Sequence, residues 1–199
     1  PHRIPPDDPS AGSAFPNSDI FGPAGYGTPE EEPMLETIRL LCDYTVWADG
    51  KLLDATSKVN PEQWTRDMGS SLKSLRDTVV HIASAQWIWV SRWKGESPKS
   101  MWAGADYPTH ASVLERWGPL RSELAAFVAV QTEESLRKPL SYRSLKGDPF
   151  TYPLGHLMLH LSNHSTYHLG QVTTLLRQLG APPVSTDLVL YYLEKSKEK

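Results

Sequence analysis

Four histidines near the end of the chain follow one another at intervals of four residues: His156, His160, His164 and His168. Residues i and i+4 stack on one face of an α-helix, so the four imidazoles would form a column. Each step of four residues drifts about 40° around the helix axis. Leucines and valines fall on the same side, which predicts that the column faces the core. Since each buried imidazole needs hydrogen-bond partners, the column favours a shared ligand such as a metal ion.

A fifth histidine, His81, lies in the apolar run 79–83 of another predicted helix. An i,i+4 histidine pair can place two ring nitrogens about 2.0–2.1 Å from one metal ion, and His81 could supply a third ligand. Three protein ligands leave one coordination position open, as in catalytic metal sites. Spacing alone does not choose among the pairs 156/160, 160/164 and 164/168. Some of these histidines could instead form hydrogen bonds across the bundle.

Four long amphipathic segments would position these histidines. Apolar residues recur at intervals of three and four and predict helices over 34–57, 71–93, 109–136 and 153–179. A short helical turn is expected at Asn60-Pro61, and a last turn or two around 186–195. Ser70 or Ser71 could cap the second long helix, and Gly118-Pro119 predicts a kink or a split in the third.

Residues 137–152 interrupt the helical pattern with Gly, Pro and aromatic residues, which predicts a short hairpin or an extended loop. The expected fold is therefore all-α. It is an up-and-down four-helix bundle with this hairpin or loop between helices three and four.

Residues 1–33 differ in composition from the rest of the chain. They hold eight of the 17 prolines and four of the 13 glycines, a composition that cannot bury enough apolar surface to order itself. We expect an extended tail or leader, with Met34 as a candidate for the original start. An arm that lies on the body or on a second subunit is the alternative. Residues 34–199 would form the four-helix bundle domain.

Composition and charge disfavour several classes of protein. The net charge is −3 without a clustered Lys/Arg surface, which disfavours nucleic-acid binding. No run approaches the roughly 18 apolar residues of a membrane span, and no secretory signal is visible, so the cytoplasm is the default location. The single cysteine, Cys42, excludes an intramolecular disulfide and a thiolate cluster. Its apolar surroundings in the sequence favour a buried, inert thiol.

The segment from His160 to Val172 resembles the last-helix motif of the DinB-like (damage-inducible) superfamily. That superfamily also includes bacterial thiol-dependent S-transferases and maleylpyruvate isomerases. His81 matches the ligand position of the second helix, and Trp47-Ala48 and residues 187–191 also fit. The resemblance covers roughly residues 34–195. Leu169 departs from it, because the family often has Arg directly after the final histidine.

The resemblance implies that His81, His164 and His168 hold a metal ion and that the protein is a homodimer. Zinc is the default metal on availability, and nickel is the next candidate. His160, Tyr167 and Gln171 would lie near the metal, where each could contact the substrate or a metal-bound water or thiolate.

Two charged residues have open roles. Asp77, one turn before His81, could orient that imidazole or be a surface charge. Arg92 is a weak candidate for binding an anionic substrate or the carboxylate of a thiol cofactor, and a surface salt bridge is the plainer interpretation. Ser165 stands where the zincin motif has its glutamate, so a familiar metalloprotease is disfavoured and the general base is not identified.

Three functions fit these residues. The resemblance favours a metal-dependent enzyme similar to a thiol S-transferase, which would use a low-molecular-weight thiol and a small-molecule substrate. A metal-dependent hydrolase of esters or amides, using metal-bound water, is the alternative. A metal-binding protein without catalytic activity is the third.

Overall fold

The computed structural model describes residues 33–197. The helices are α1 (Met34–Thr56), α2 (Pro61–Thr65), α3 (Leu75–Trp93), α4 (His110–Ala129), α5 (Glu133–Arg137), α6 (Leu154–Gln178) and α7 (Leu188–Lys195). Strands β1 (Pro139–Arg143) and β2 (Pro149–Pro153) connect α5 to α6, and a 3-10 turn at Gly104–Asp106 precedes α4. Apart from Pro33, the tail predicted over residues 1–33 lies outside the described residues and stays a prediction.

The four long helices form a bundle, which confirms the all-α four-helix prediction. Helix α1 packs against α4 and α6, and α3 packs against the same two helices. The consecutive long helices α1 and α3 therefore lie across the bundle from each other. The arrangement makes α3 and α6 neighbours, so the helix that carries His81 faces the helix that carries the histidine column.

Local capping explains where the helices begin, and it corrects two predicted boundaries. Helix α3 starts at Leu75 rather than at residue 71, because Ser74 accepts a hydrogen bond from the Asp77 amide. The predicted third helix ends at Ala129, and Thr132 caps the separate helix α5. Helix α4 is continuous through Pro119, so the split occurs after Ala129 and not at that proline.

The connection before α6 is a hairpin, the first of the two predicted alternatives. Strands β1 and β2 pair antiparallel, with Pro139 opposite Pro153 and Tyr142 opposite Phe150. The amide of Leu154 donates to the carbonyl of Lys138, which fixes the hairpin to the first turn of α6. Among residues 33–197, no helix combines the length and apolar character that a membrane crossing requires.

Candidate metal centre

Three imidazoles converge between α3 and α6. The Nε2 atom of His81 lies 3.3 Å from Nε2 of His164. The Nε2 atom of His168, one turn further along α6, lies 3.2 Å from the same nitrogen of His164. The three ligand atoms all lie within 4.8 Å of one another, so one ion could contact all of them. We call these three residues the histidine cluster.

Hydrogen bonds alone leave the histidine cluster unsatisfied. A neutral imidazole has one N–H and one lone pair, so Nε2 of His164 can form a hydrogen bond with only one of its two neighbours. A tetrahedral metal ion at 2.0–2.1 Å from each nitrogen would separate the nitrogens by about 3.3–3.4 Å. The separations of 3.2 and 3.3 Å match that value, so the residues fit a three-histidine metal site with an open fourth position.

Burial keeps His81 and His164 in the protonation state that a metal requires. Burial, and then the neighbouring His168, lowers the pKa of His81 to about 4. Burial, followed by His168, His81 and His160, lowers the pKa of His164 to about 4. Both imidazoles are therefore neutral near pH 7, and their lone pairs are available to a cation.

Gln171 and Tyr167 both contact His168. The Nδ1 atom of His168 lies 2.7 Å from Oε1 of Gln171, which suits a ring that donates from Nδ1 and presents Nε2 to a metal. The ring of Tyr167 meets His168 edge-on at 5.0 Å, and Tyr167 is 66% exposed. The Nδ1 atom of His164 is buried and has no hydrogen-bond partner among the described residues.

The histidine column does not face the core along its whole length, so that prediction was wrong for its first half. His168 is buried and His164 half-buried, whereas His160 and His156 are exposed. The drift of about 40° at each step carries the column from the groove out to solvent. The His160 ring still lies 5.8 Å from that of His164, and burial, with Arg92 adding to it, lowers the pKa of His160.

The Asp77 carboxylate is engaged at the start of α3. Its Oδ2 accepts a hydrogen bond from the Ser74 hydroxyl at 2.7 Å, and its Oδ1 accepts one from Arg76 Nε at 3.0 Å. These contacts favour a helix-capping role for Asp77 over the orientation of His81.

Arg92 is a buried side chain and not the surface cation that a salt bridge would require. Only 7% of Arg92 is exposed, and its guanidinium lies 4.6 Å from the ring centres of both Trp89 and Tyr142. It donates from Nη2 to the Arg143 carbonyl at 3.2 Å, and burial lowers its pKa. A surface salt bridge is therefore the wrong interpretation, because the hairpin covers this side chain. Its role toward an anion stays a prediction.

Aromatic side chains from α3 and β1 form a wall near the cluster. The Trp89 ring lies 4.9 Å from that of His160 and 5.2 Å from that of Tyr142. The high tryptophan content of α3 was a visible signal. The contribution of Tyr142 was not visible, because it depends on where the hairpin folds back.

The fold and the cluster define a helical bundle with a candidate three-histidine metal centre. Residues 34–198 match the family model described as the DinB family, so the chain belongs to the DinB family.

Two relatives agree with this assignment. The chain is 26% identical over 164 residues to Protein DinB of Bacillus subtilis (strain 168). The matched segment covers 80% of this chain and 95% of the B. subtilis protein. A DinB-like protein from Bacillus cereus ATCC 10987, known from a crystal structure, superposes with a TM-score of 0.55 at 19% identity. That likeness covers 72% of this chain and 91% of the other, and it supports the fold alone.

Proposed function

We propose that this DinB-family protein is a divalent-metal-dependent enzyme that transfers a low-molecular-weight thiol to an electrophilic small molecule. His81, His164 and His168 would hold the metal, with zinc as first choice and nickel as second. The convergence of their three Nε2 atoms is the observation that carries the proposal.

The chemistry of the ligands suits this role. When bound, the metal supplies a positive charge that lowers the pKa of a thiol brought to it. Imidazole is an uncharged ligand, so three histidines would leave the charge of the metal uncompensated, which favours an anionic sulfur. The sulfur would form a bond to the electrophilic carbon, the leaving group would depart with its bonding electron pair, and the thiol proton would pass to solvent.

The side chains around the cluster include one candidate general base. Gln171 and Tyr167 contact His168, and the His160 ring lies beside that of His164. A water nucleophile gains from a positioned general base, so His160 supports the hydrolase as the alternative, whereas a thiol that has already lost its proton does not need such a base.

A homodimer is the expected assembly. The short helix α7 exposes Val189, Tyr192 and Leu193, each about half accessible to solvent (55%, 46% and 53%). A second copy of the chain would cover such apolar surface. Size-exclusion chromatography with light scattering should give twice the monomer mass, and a monomer would contradict this part of the proposal. The cytoplasmic location stays a prediction.

Metal content tests the centre directly. Protein purified without nickel resin should contain about one divalent metal per chain by elemental analysis, and His164→Ala should lose it. His156→Ala is the matched control, since His156 lies on the same helix but is exposed and outside the cluster. A wild type without metal after zinc addition and dialysis would overturn the proposal, as would equal metal in His164→Ala.

Activity tests the reaction. The zinc-loaded protein should consume cysteine or glutathione with 1-chloro-2,4-dinitrobenzene, releasing one chloride for each thioether formed, and His164→Ala should not. Hydrolysis of nitrophenyl esters without any thiol reaction would replace the transferase by a hydrolase. Bound metal without either reaction would leave a metal-binding protein.

A further inference from the structure

A cavity of about 500 Å³ lies beside the histidine cluster, between α3, α6 and the loop that precedes α3. Its walls reach the cluster from both helices. Thr78 lies three residues before His81, and Tyr167 and Gln171 contact His168. The other polar residues that line it are Ser70, Ser71, Thr174 and Gln178. We call this space the polar cavity.

The lining of the polar cavity is uncharged. Hydroxyl and amide groups supply its polar surface, and Met68 and Leu175 supply apolar surface. Hydroxyls donate and accept hydrogen bonds equally well, so they match ligand groups that do the same. An ionised ligand group would lose its hydration here without meeting an opposite charge, which is costly. The lining therefore selects for a neutral, hydrogen-bonding ligand.

Two polar groups at the cavity are not fully used within the protein. The hydroxyl of Ser70 is buried and has no hydrogen-bond partner among the described residues. When Nε2 of His168 faces a cation, its Nδ1 donates to Oε1 of Gln171, which leaves the amide nitrogen of Gln171 as a donor. Buried polar groups without partners are rare in folded proteins, so the Ser70 hydroxyl points to a ligand, and the half-buried Gln171 offers its amide nitrogen as a second donor.

The loop that carries Ser70 is held in a fixed conformation. Met68 donates from its amide to the Lys73 carbonyl at 2.7 Å, and the Lys73 amide donates to the Ser70 carbonyl at 2.8 Å. Lys73 has a φ of 64°, which is uncommon for a residue with a Cβ atom. The loop thus holds Ser70 in the cavity wall, and the Ser70 hydroxyl, which is covered in this conformation, has to turn toward the cavity to meet a ligand.

We propose that the polar cavity binds an uncharged, hydroxylated portion of the substrate whose reacting atom lies at the histidine cluster. The inference rests on the proposed function, because it assigns the substrate class of the same site. Gln171 is the link between the two parts. Its oxygen contacts a ligand imidazole, and its amide nitrogen is directed to the substrate.

Three six-carbon polyols that differ in charge isolate its effect on binding. Sorbitol is neutral, gluconate is anionic and glucamine is cationic. Binding to the full chain would be measured by saturation-transfer NMR with and without zinc, and the three polyols would be compared without zinc, because a bound cation would itself attract gluconate. Sorbitol should bind, and gluconate and glucamine should bind about tenfold more weakly or not at all. Equal binding of all three would overturn the proposal, as would no binding of sorbitol.

Variants locate the binding to the cavity. Ser70→Ala should weaken sorbitol binding several-fold, and Thr174→Phe, which fills the cavity from an exposed helix position, should abolish it. Ser122→Ala removes an exposed hydroxyl from α4 and should have no effect. Sorbitol binding that survives Thr174→Phe would contradict the assignment.

Zinc content, measured on the same samples, separates the two proposals. Normal zinc without sorbitol binding would reject the polar cavity alone. Charge-selective sorbitol binding by a chain that takes up no zinc would reject the metal centre while leaving the cavity as a binding site.

Discussion

Two clusters of polar side chains include consecutive residues of α6, His164 and Ser165. They differ in how their hydrogen-bonding groups find partners. At His164, the Nε2 atoms of three imidazoles face one another, an arrangement that a cation between them would satisfy. At Ser165, donors and acceptors complement each other inside the core. Gln86 donates from Nε2 to Asp49 Oδ2 at 2.8 Å, accepts a hydrogen bond from Trp117 Nε1 at 2.8 Å, and lies 3.4 Å from the Ser165 hydroxyl. We call these four residues the core layer.

The contrast separates a binding site from a structural network. The core layer joins one residue from each long helix and is at most 1% exposed. Its hydrogen bonds are made within the protein, and Oδ1 of Asp49 is its one atom without a partner among the described residues. The histidine cluster, in which His168 is buried and His81 and His164 are half-buried, has three ring nitrogens that hydrogen bonds alone do not satisfy. Its residues should therefore determine metal binding, while the core layer should determine stability.

The largest expected effect is on the core layer. Gln86→Ala would leave the Asp49 carboxylate and the Trp117 indole without their partner and would open a cavity. We expect a loss of about 3–5 kcal/mol in the free energy of unfolding, measured by urea titration. Gln178→Ala, at an exposed position, should lower the free energy of unfolding by less than about 1 kcal/mol. A comparable loss in both variants would mean that the core layer contributes no more to stability than an exposed glutamine does.

Metal should stabilise the protein only through the histidine cluster. Zinc at a free concentration about 100 times its dissociation constant should raise the free energy of unfolding by about 2.7 kcal/mol, seen as a higher midpoint in thermal unfolding. His164→Ala should abolish this shift, and His156→Ala should retain it. The same stabilisation in His164→Ala would place the zinc elsewhere.

The pH dependence of stability distinguishes the clusters further. Burial raises the pKa of Asp49 to about 7, although the Gln86 hydrogen bond and Arg121 oppose the change. The folded state thus holds this proton more tightly than the unfolded state, so stability contributed by Asp49 is present at low pH and is lost as pH rises from about 4 to 7.

Asp49→Asn removes that titration. The free energy of unfolding of the variant, relative to that of the wild type, should increase by on the order of 2 kcal/mol when the pH is raised from about 4.5 to about 8. Urea titrations of both proteins at the two pH values give this difference. The titration of the histidines contributes equally to both proteins and therefore cancels. A difference that is constant with pH would mean that Asp49 is ionised throughout.

The sequence predicted the features that depend on local periodicity. The apolar stripes of the long helices follow from the spacing of three and four residues. The approach of His81 to the last helix was predicted because the second and fourth helices of a bundle can face each other. The resemblance, rather than the spacing, selected His164 and His168 from the column. The exposure of His156 and His160 could have been inferred from the drift of about 40° for each step of four residues.

Features that depend on tertiary contacts could not be predicted. The burial of Arg92 requires the hairpin to place Tyr142 over α3, and no periodicity specifies that placement. The core layer needs four helices in register, and Gln86 and Asp49 in isolation read as ordinary polar residues. The break between α4 and α5 depends on the cap at Thr132 overriding an otherwise helical pattern.

The smallest expected effect concerns the contact between Gln171 and His168. Gln171→Met removes the acceptor of the Nδ1 proton and should weaken zinc binding by about tenfold, measured by competition with a chelator. Gln178→Met, at an exposed position two turns further along α6, is the matched control and should bind zinc normally.

Gln171→Glu separates ligand orientation from packing. A carboxylate accepts the Nδ1 proton more strongly than an amide does and makes the imidazole a better ligand, so this variant should bind zinc at least as tightly as the wild type. If Gln171 only filled space, Met and Glu would weaken binding alike. If both variants bind zinc normally, the affinity depends on the three imidazoles alone, and the contrast with the core layer becomes sharper, because the cluster would then need no supporting hydrogen bond.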